Sequence, residues 1–298
     1  MKSKVVLGLS GGVDSTAAAL LLQEKGYEVI GLYFDVQAWE SGRKQAEQAA
    51  RQLGIDFLYR DVSAEFESIV IDDFCREYSR GRTPNPCIVC NPSIKFRTLL
   101  EAADSIGAEH IATGHYADTF FDEESGLWYI KRAASEKKDQ SYMLYRLGQE
   151  TISRLLLPLN SMEDKEKVRD IAREKELANA DARDSQEICF IDDSDDYKAF
   201  LSRRGVVSPA GDFVDRKGNK LGEHRGILSY TIGQRKGLGI ALGKPVFVTK
   251  IDSEKNQVVL GENEELFTRE VVSQDNILFG KAWADMTEAE QADCKGRL

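Results

Sequence analysis

The chain is poor in several residue types and patterns, and each shortage excludes something. It has only five cysteines, Cys75, Cys87, Cys90, Cys189 and Cys294, an odd and sparse set for 298 residues. No disulfide framework is built from such a set; the clustered pair Cys87-x-x-Cys90, in a reducing compartment, points instead to metal or catalysis. The three histidines, His110, His115 and His224, offer no spaced pair that would complete a four-ligand zinc site around those thiols. No run approaches the ~18–20 apolar residues that a membrane span needs. No basic-then-apolar leader precedes the first strand pattern, so a cytoplasmic protein with no membrane partner is expected. Positive charge is also short: 40 Lys and Arg stand against 50 Asp and Glu, a net charge of −10. That excludes indiscriminate nucleic-acid binding. It leaves local basic groups at Arg76, Arg80 and Arg82, at Lys95 and Arg97, at Lys131, Arg132, Lys137 and Lys138, and at Arg235 and Lys236. Internal repeats and low-complexity tracts are absent as well.

What is present is an alternation of strand-like and helix-like segments. Strands are expected at 4–9, 28–34, 56–59 and 110–113, and amphipathic helices at 15–25, 43–53, 64–78 and 93–106. In the third helix Phe66, Val70, Phe74 and Tyr78 recur at every fourth position, as a core-facing stripe should, and Cys75 beside that stripe reads as a small buried hydrophobe. This alternation implies a doubly wound parallel sheet, a member of the α/β class. A hairpin is expected at 120–132 and a helical region from about 141 to 180. From Gly205 the texture changes to short strands between glycine turns, which indicates a small β-rich domain.

The strongest local signal is Val5-Val6-Leu7-Gly8-Leu9-Ser10-Gly11-Gly12-Val13-Asp14-Ser15. A buried strand feeds a glycine turn and then a helix, so backbone N–H groups and the helix dipole converge where an anion is favoured. The turn lacks the lysine of the common NTPase phosphate loop. Ser-Gly-Gly-x-Asp-Ser instead resembles the pyrophosphate loop of enzymes that split ATP between its α- and β-phosphates and adenylate a substrate.

The second signal is Arg82-Thr83-Pro84-Asn85-Pro86-Cys87-Ile88-Val89-Cys90-Asn91-Pro92. Two prolines before Cys87 are expected to hold the segment out of helix. Asn91 reads as an N-cap with Pro92 at the first helical position, which sets Cys90 at a helix N-terminus where its thiolate is favoured. Cys189, in Ile188-Cys189-Phe190-Ile191, reads by itself as a plain core residue.

Six segments in one order carry a family resemblance: the turn from Gly8 to Ser15, Thr83-Pro84-Asn85-Pro86 with Cys90-Asn91, Ala112-Thr113-Gly114-His115-Tyr116-Ala117, Lys138-Asp139-Gln140-Ser141-Tyr142, Ile188-Cys189-Phe190-Ile191, and Gly233-Gln234-Arg235-Lys236-Gly237-Leu238-Gly239. Together they resemble the tRNA-specific 2-thiouridylases. The resemblance implies a catalytic domain of the PP-loop ATP pyrophosphatase type at 1–197, a small tRNA-contacting β-rich domain at 198–271, and the start of a shortened C-terminal β-barrel at 272–298. It implies ATP-dependent sulfuration at carbon 2 of the wobble uridine of tRNA. The uracil oxygen would first be adenylated, and AMP would then be displaced by sulfur on a base flipped from its stack.

By position, the resemblance assigns Gly8, Leu9, Ser10, Gly11, Gly12, Val13, Asp14, Ser15, Phe34 and Gly114 to the nucleotide site, with Asp14 also toward Mg²⁺. Asn85, Pro86 and Cys87 meet the target base. His115, Lys138, Asp139, Gln140, Arg235 and Lys236 contact tRNA. Cys90 and Cys189 are the catalytic nucleophile and the persulfide carrier. Many relatives carry aspartate at position 87. With cysteine there, Cys87, Cys90 and Cys189 resemble the three-thiol ligand set of a 4Fe–4S cluster, and sulfur on that cluster is the expected route. The alternatives are a Cys189 persulfide relay without a cluster, an inactive tRNA-binding or iron–sulfur carrier module, and an ammonia-using adenylating ligase, against which the thiols speak. The sulfur donor is expected to be sulfide or a persulfide-carrying protein such as a cysteine desulfurase.

Overall fold

The computed structural model describes residues 2–37, 40–175, 177, 179–180, 188–191 and 195–267. Contacts divide the chain into two compact units. One takes in residues 1–63 and 90–184, and the other 64–89 and 185–272. Residues 64–89 thus cluster with the β-rich part and not with the sheet that precedes them in sequence. The expected start of a barrel at 272–298, including Cys294, lies outside the described residues.

The first unit is built on a five-stranded sheet in the order β3-β2-β1-β4-β7, every adjacent pair parallel. The strands are β1 (Lys4–Gly8), β2 (Glu28–Asp35), β3 (Asp56–Asp61), β4 (His110–Ala112) and β7 (Leu155–Leu156). Alternation along β1 explains its central place: Val5 and Leu7 point into one apolar layer, Val6 into the other. The first layer is closed by α1 (Val13–Glu24), α2 (Glu40–Leu53) and the Lys165–Glu174 helix, through small residues such as Ala17, Ala18, Ala49 and Ala172. The second is closed by the Phe96–Ile106 helix, with Phe96, Leu99, Ala102 and Ala103 fully covered. The chain leaves β1 toward β2 on one side and returns to β4 on the other, so β1 and β4 flank the switch point where such sheets bind ligands.

The expected strands and helices of this unit are present, with ends shifted by a few residues. One difference is structural. The segment expected to be helical from 141 onward is broken into a 3₁₀ turn (Ser141–Met143), a short helix (Gln149–Arg154) and the two-residue strand β7. The hairpin is confirmed as β5 (Ala117–Asp122) paired antiparallel with β6 (Leu127–Arg132).

In the second unit the Ser63–Phe66 and Asp72–Ser79 helices are joined by a π-turn, with the Asp72 N–H bonding the Glu67 carbonyl. Phe66, Phe74, Phe190 and Phe200 form an aromatic cluster with centroids 5.3–6.2 Å apart, edge-to-face except for the tilted Phe190–Phe200 pair. A four-stranded sheet, β10-β11-β8-β9, follows: β8 (Gly211–Val214), β9 (Lys220–His224), β10 (Phe247–Asp252) and β11 (Gln257–Gly261). Its core is Phe213, Tyr230, Leu238, Val248, Val258 and Leu260. Among the described residues no helix is long and apolar enough to cross a membrane.

Candidate active site

The glycine turn lies where the sequence sets it, at the carboxyl end of β1. Gly11 takes φ +80°, and a β-carbon there would meet the backbone of Gln45 and Ala46 at 2.8 Å, so the turn rests against α2 without room for a side chain. Gly12 is the N-cap of α1. The hydroxyls organise the turn from within: Ser10 Oγ accepts from the Gly12 N–H, while Ser15 and Thr16 both donate to the Gly12 carbonyl at 3.0 and 2.9 Å. The amide of Asn179 reaches the same turn, donating to the Gly11 carbonyl at 2.6 Å and to Thr16 Oγ1 at 2.8 Å.

Gly114, after β4, is a second point of close approach. A β-carbon there would stand 2.9–3.0 Å from the backbone of Asp14 and Ser15, so only glycine lets the segment after β4 meet the first turn of α1. A β-carbon added at Gly8 would stand 3.4 Å from the Phe34 ring edge, so that half-buried ring lies beside the turn. The residues expected at the nucleotide, Gly8 to Ser15 with Phe34 and Gly114, therefore lie together at the switch point.

Asp14 is not a bare carboxylate. Tyr116 donates its O–H to Oδ1 at 2.8 Å, and Lys165 Nζ reaches Oδ2 at 2.5 Å. Sequence reasoning missed both partners. Tyr116 sat inside a recognised segment without a role. Lys165 opens a helix capped by Asp164, whose side chain accepts from the Lys167 N–H, and the only sequence signal for it was the cation missing from the turn. A Mg²⁺ ion held by one carboxylate and completed by substrate phosphates fits this donor set, with Asp14 supplying the carboxylate.

The cysteine segment folds differently from expectation. Pro86–Cys90 is helical, capped by Asn85, whose Oδ1 accepts from the Cys87 N–H at 3.1 Å. Pro86 takes the first helical position, which suits its fixed φ and missing N–H. Asn91 is therefore no N-cap: the helix runs on through a π-turn (Asn91–Lys95), with the Phe96 N–H bonding the Asn91 carbonyl, and Cys90 has helical φ −61°, ψ −45°. Pro92 has no N–H for the α-register, and the wider turn absorbs that loss. Cys87, not Cys90, lies in the first turn of this helix. Asn91 is buried and donates to the Met143 carbonyl at 2.8 Å.

Cys189 departs from its plain-core reading. Phe190 and Ile191 are buried, but Cys189 is exposed. Cys75 is half-buried, and burial together with Asp72 raises its thiol pKa, as an inert packing residue requires. Cys87, Cys90 and Cys189 all lie among the described residues, where no group of three or more His, Cys, Asp or Glu side chains is placed to hold a metal ion. Cys87 and Cys90, one helical turn apart, would supply two ligands of the expected 4Fe–4S cluster, which needs Cys189 as its third.

The residues expected at tRNA fall into two groups. Arg235 and Lys236 are exposed on a loop whose Gly233, Gly237 and Gly239 all take positive φ, pinned by Gln234 bonds and by buried Leu238. Asp139 and Gln140 are instead engaged in shaping their own loop. Asp139 accepts from the Ala133 N–H and from Ser141, and Gln140 Oε1 accepts from the Tyr116 N–H. Lys138 beside them is partly exposed. His115 is only 9% exposed, stacked on Phe96, with Nδ1 2.8 Å from Thr113 Oγ1 and Nε2 3.3 Å from Lys95 Nζ. Burial first and the Lys95 charge second push its pKa well below the ordinary value, so it is a neutral, largely covered ring in this structure.

Comparison with known proteins is consistent with this arrangement. The tRNA methyl transferase HUP domain family matches residues 3–193, and the tRNA methyl transferase PRC-barrel domain family matches 198–262. The tRNA-specific 2-thiouridylase MnmA of Syntrophomonas wolfei is 49% identical over 266 residues, 89% of this chain and 77% of that protein. The protein of the same name from Clostridium acetobutylicum is 45% identical over 313 residues, 100% of this chain and 86% of its own length. Among solved structures, a 4-thiouridine synthetase–RNA complex with bound ATP aligns with a TM-score of 0.44 at 18% identity, over 63% of this chain and 44% of that one. Identity of this level, sustained through both the sheet unit and the β-rich unit, means that the chain belongs to the MnmA family of tRNA-specific 2-thiouridylases.

Proposed function

We propose that the protein is a PP-loop sulfurtransferase that uses ATP to thiolate carbon 2 of the tRNA wobble uridine. What carries this reading is the lysine-free Ser-Gly-Gly turn at the switch point, in a chain that also holds Cys90 and an exposed Cys189. The turn's N–H groups and the Ser10 and Ser15 hydroxyls receive the β- and γ-phosphates, and Phe34 beside Gly8 borders the nucleoside. The uridine O2 attacks the α-phosphorus, forming a P–O bond as the bond to the pyrophosphate oxygen breaks. A uracil oxygen is a poor leaving group until it carries AMP.

Sulfur then arrives as a Cys189 persulfide, loaded by a persulfide-carrying donor protein. Exposure of Cys189 supports this assignment, since a carrier thiol must be reachable from outside. The terminal sulfur attacks carbon 2, the C–O bond breaks, and AMP leaves. The Cys90 thiolate attacks the Cys189 sulfur, the S–S bond breaks toward the base to give the thiocarbonyl, and a Cys90–Cys189 disulfide remains for an external thiol reductant. Asn85, Pro86 and Cys87 lie toward the base, and Lys138, Arg235 and Lys236 toward the tRNA backbone.

Labelled ATP with tRNA and a persulfide donor should yield pyrophosphate and AMP in step with thiolated uridine. Stoichiometric ADP and phosphate would overturn the adenylation assignment. Cys90→Ala and Cys189→Ala should each abolish thiolation, whereas Cys75→Ser should keep it. Iron-free protein should be fully active; strict dependence on bound iron would return the mechanism to a cluster.

A further inference from the structure

Lys95 is a basic residue to which the proposed reaction gives no task. It ends the π-turn Asn91–Lys95 and is held between Ile94 and Phe96, both fully covered. Such a turn carries one residue more than an α-helical turn, which re-aims the side chains on it. Lys95 is half-buried, and among the described residues its one polar partner is the His115 ring, with Nζ 3.3 Å from Nε2. Other cations of the same unit are held by carboxylates: Arg97 by Glu101, Arg154 by Asp104 and Lys165 by Asp14. An ammonium drawn partly out of water with only a neutral acceptor beside it is costly, and a bound anion would offset that cost.

The contacts of Lys95 lead to the nucleotide turn. An ammonium only donates, so His115 Nε2 accepts from it and the Nδ1–H donates to Thr113 Oγ1 at 2.8 Å. The Thr113 methyl lies 3.8 Å from the place of a β-carbon on Gly8. Gly114, between Thr113 and His115, abuts the backbone of Asp14 and Ser15. We infer that Lys95 is a further catalytic residue, its ammonium contacting the non-bridging oxygens of the ATP α-phosphate during adenylation, an inference that rests on the adenylating reading of the turn. In that step uridine O2 forms its bond to the α-phosphorus, the bond to the pyrophosphate oxygen breaks, and N3 yields its proton to solvent. Negative charge gathers on the oxygens of the five-coordinate phosphorus, where a preorganised cation stabilises it most. The Ser10–Ser15 turn serves the β- and γ-phosphates and Lys165 is engaged with Asp14, so the α-phosphate draws its cation from elsewhere. Lys95 supplies it from the β4 side of the switch point. The neutral His115 ring holds the ammonium without cancelling its charge, as a carboxylate in its place would.

The test uses the full chain with Mg²⁺, unmodified bulk tRNA, and either ATP or its α-thio analogue, whose two diastereomers place sulfur on one or the other non-bridging oxygen. Pyrophosphate release in a single turnover reads adenylation alone. In Lys95→Met it should slow by about 100-fold or more, with ATP affinity changed by less than about threefold. Lys95→Arg should recover part of the rate. Lys95→Gln keeps a donor for the His115 ring without the charge, and should be as slow as Lys95→Met. In the unaltered protein one α-thio diastereomer should react about tenfold or more slowly than the other. That preference should shrink in Lys95→Met and Lys95→Gln, where the contact it reports is already gone; a merely structural lysine would leave it unchanged. Circular dichroism and melting temperature establish that each variant is folded. Folded variants that release pyrophosphate at the unaltered rate, or that are slow with the preference intact, overturn the inference. If the unaltered protein releases no pyrophosphate with tRNA, the adenylating reading fails first.

Discussion

At the scale of single residues, His115 shows how burial changes a reading. The ring lies under Phe96 and between Thr113 and Lys95, so it is neutral in the native state. In the unfolded chain it titrates near its ordinary value of about 6.5. A histidine depressed on folding contributes stability that is present above the unfolded pKa and lost as pH falls through the native one, because the unfolded state gains the proton first. His115→Gln should therefore flatten the stability profile below about pH 6.5 relative to the unaltered protein, measured by urea unfolding across that range. An unchanged difference between the two proteins from pH 7 to 5 would contradict the buried neutral ring. His224, also depressed mainly by burial, is common to both and cancels in that comparison. Position in the sequence gave no hint of either burial, because a lone histidine at a strand end reads the same whether it faces solvent or an aromatic ring.

At the scale of elements, the turn and the central strands were legible because their signals are local: β-branched runs, then glycines that only a tight approach requires. Gly114→Ala should leave the protein folded but force Asp14 and Ser15 away from β4, so nucleotide affinity should fall more than tenfold in a binding titration while far-ultraviolet dichroism stays intact. The cysteine helix was misread because two prolines and an asparagine have more than one helical use. Pro86 opens a helix, whereas Pro92 sits inside one at a π-turn, and the sequence shows the residues without their register. Asn85→Ala removes the cap on Cys87 N–H and should cost about 0.5–2 kcal/mol. Asn91→Ala removes a buried bond to Met143 and should cost about 1–3 kcal/mol. Both are read as lowered denaturation midpoints. The strand β7 escaped notice for a simpler reason: two leucines cannot be told from the end of a helix.

At the scale of the whole molecule, the change of texture after Gly205 located the β-rich part, but the clustering of residues 64–89 with it depends on contacts far apart in sequence, such as the ion pair between Glu67 and Arg204 and a hydrogen bond between Thr83 and Thr231. No local pattern encodes those. With a net charge of −10, binding of a polyanion must rest on a few placed cations. On the proposed function, Arg235→Ala with Lys236→Ala should weaken tRNA binding similarly for all substrate tRNAs and reduce its salt dependence, with ATP affinity unchanged. Equal salt slopes in the two proteins would remove that loop from the interface.

The neighbours Cys189 and Phe190 face opposite ways, the thiol outward and the ring into a cluster with Phe66, Phe74 and Phe200. Chemical damage and structural damage are thereby separated by one peptide bond. Air or peroxide that carries the exposed sulfur to sulfinic acid meets solvent on that side and leaves the aromatic anchor untouched. A stored preparation should accordingly lose sulfur transfer while its melting curve stays where it was. Ageing of this protein is to be followed by thiol titration, since a thermal scan will report it as sound.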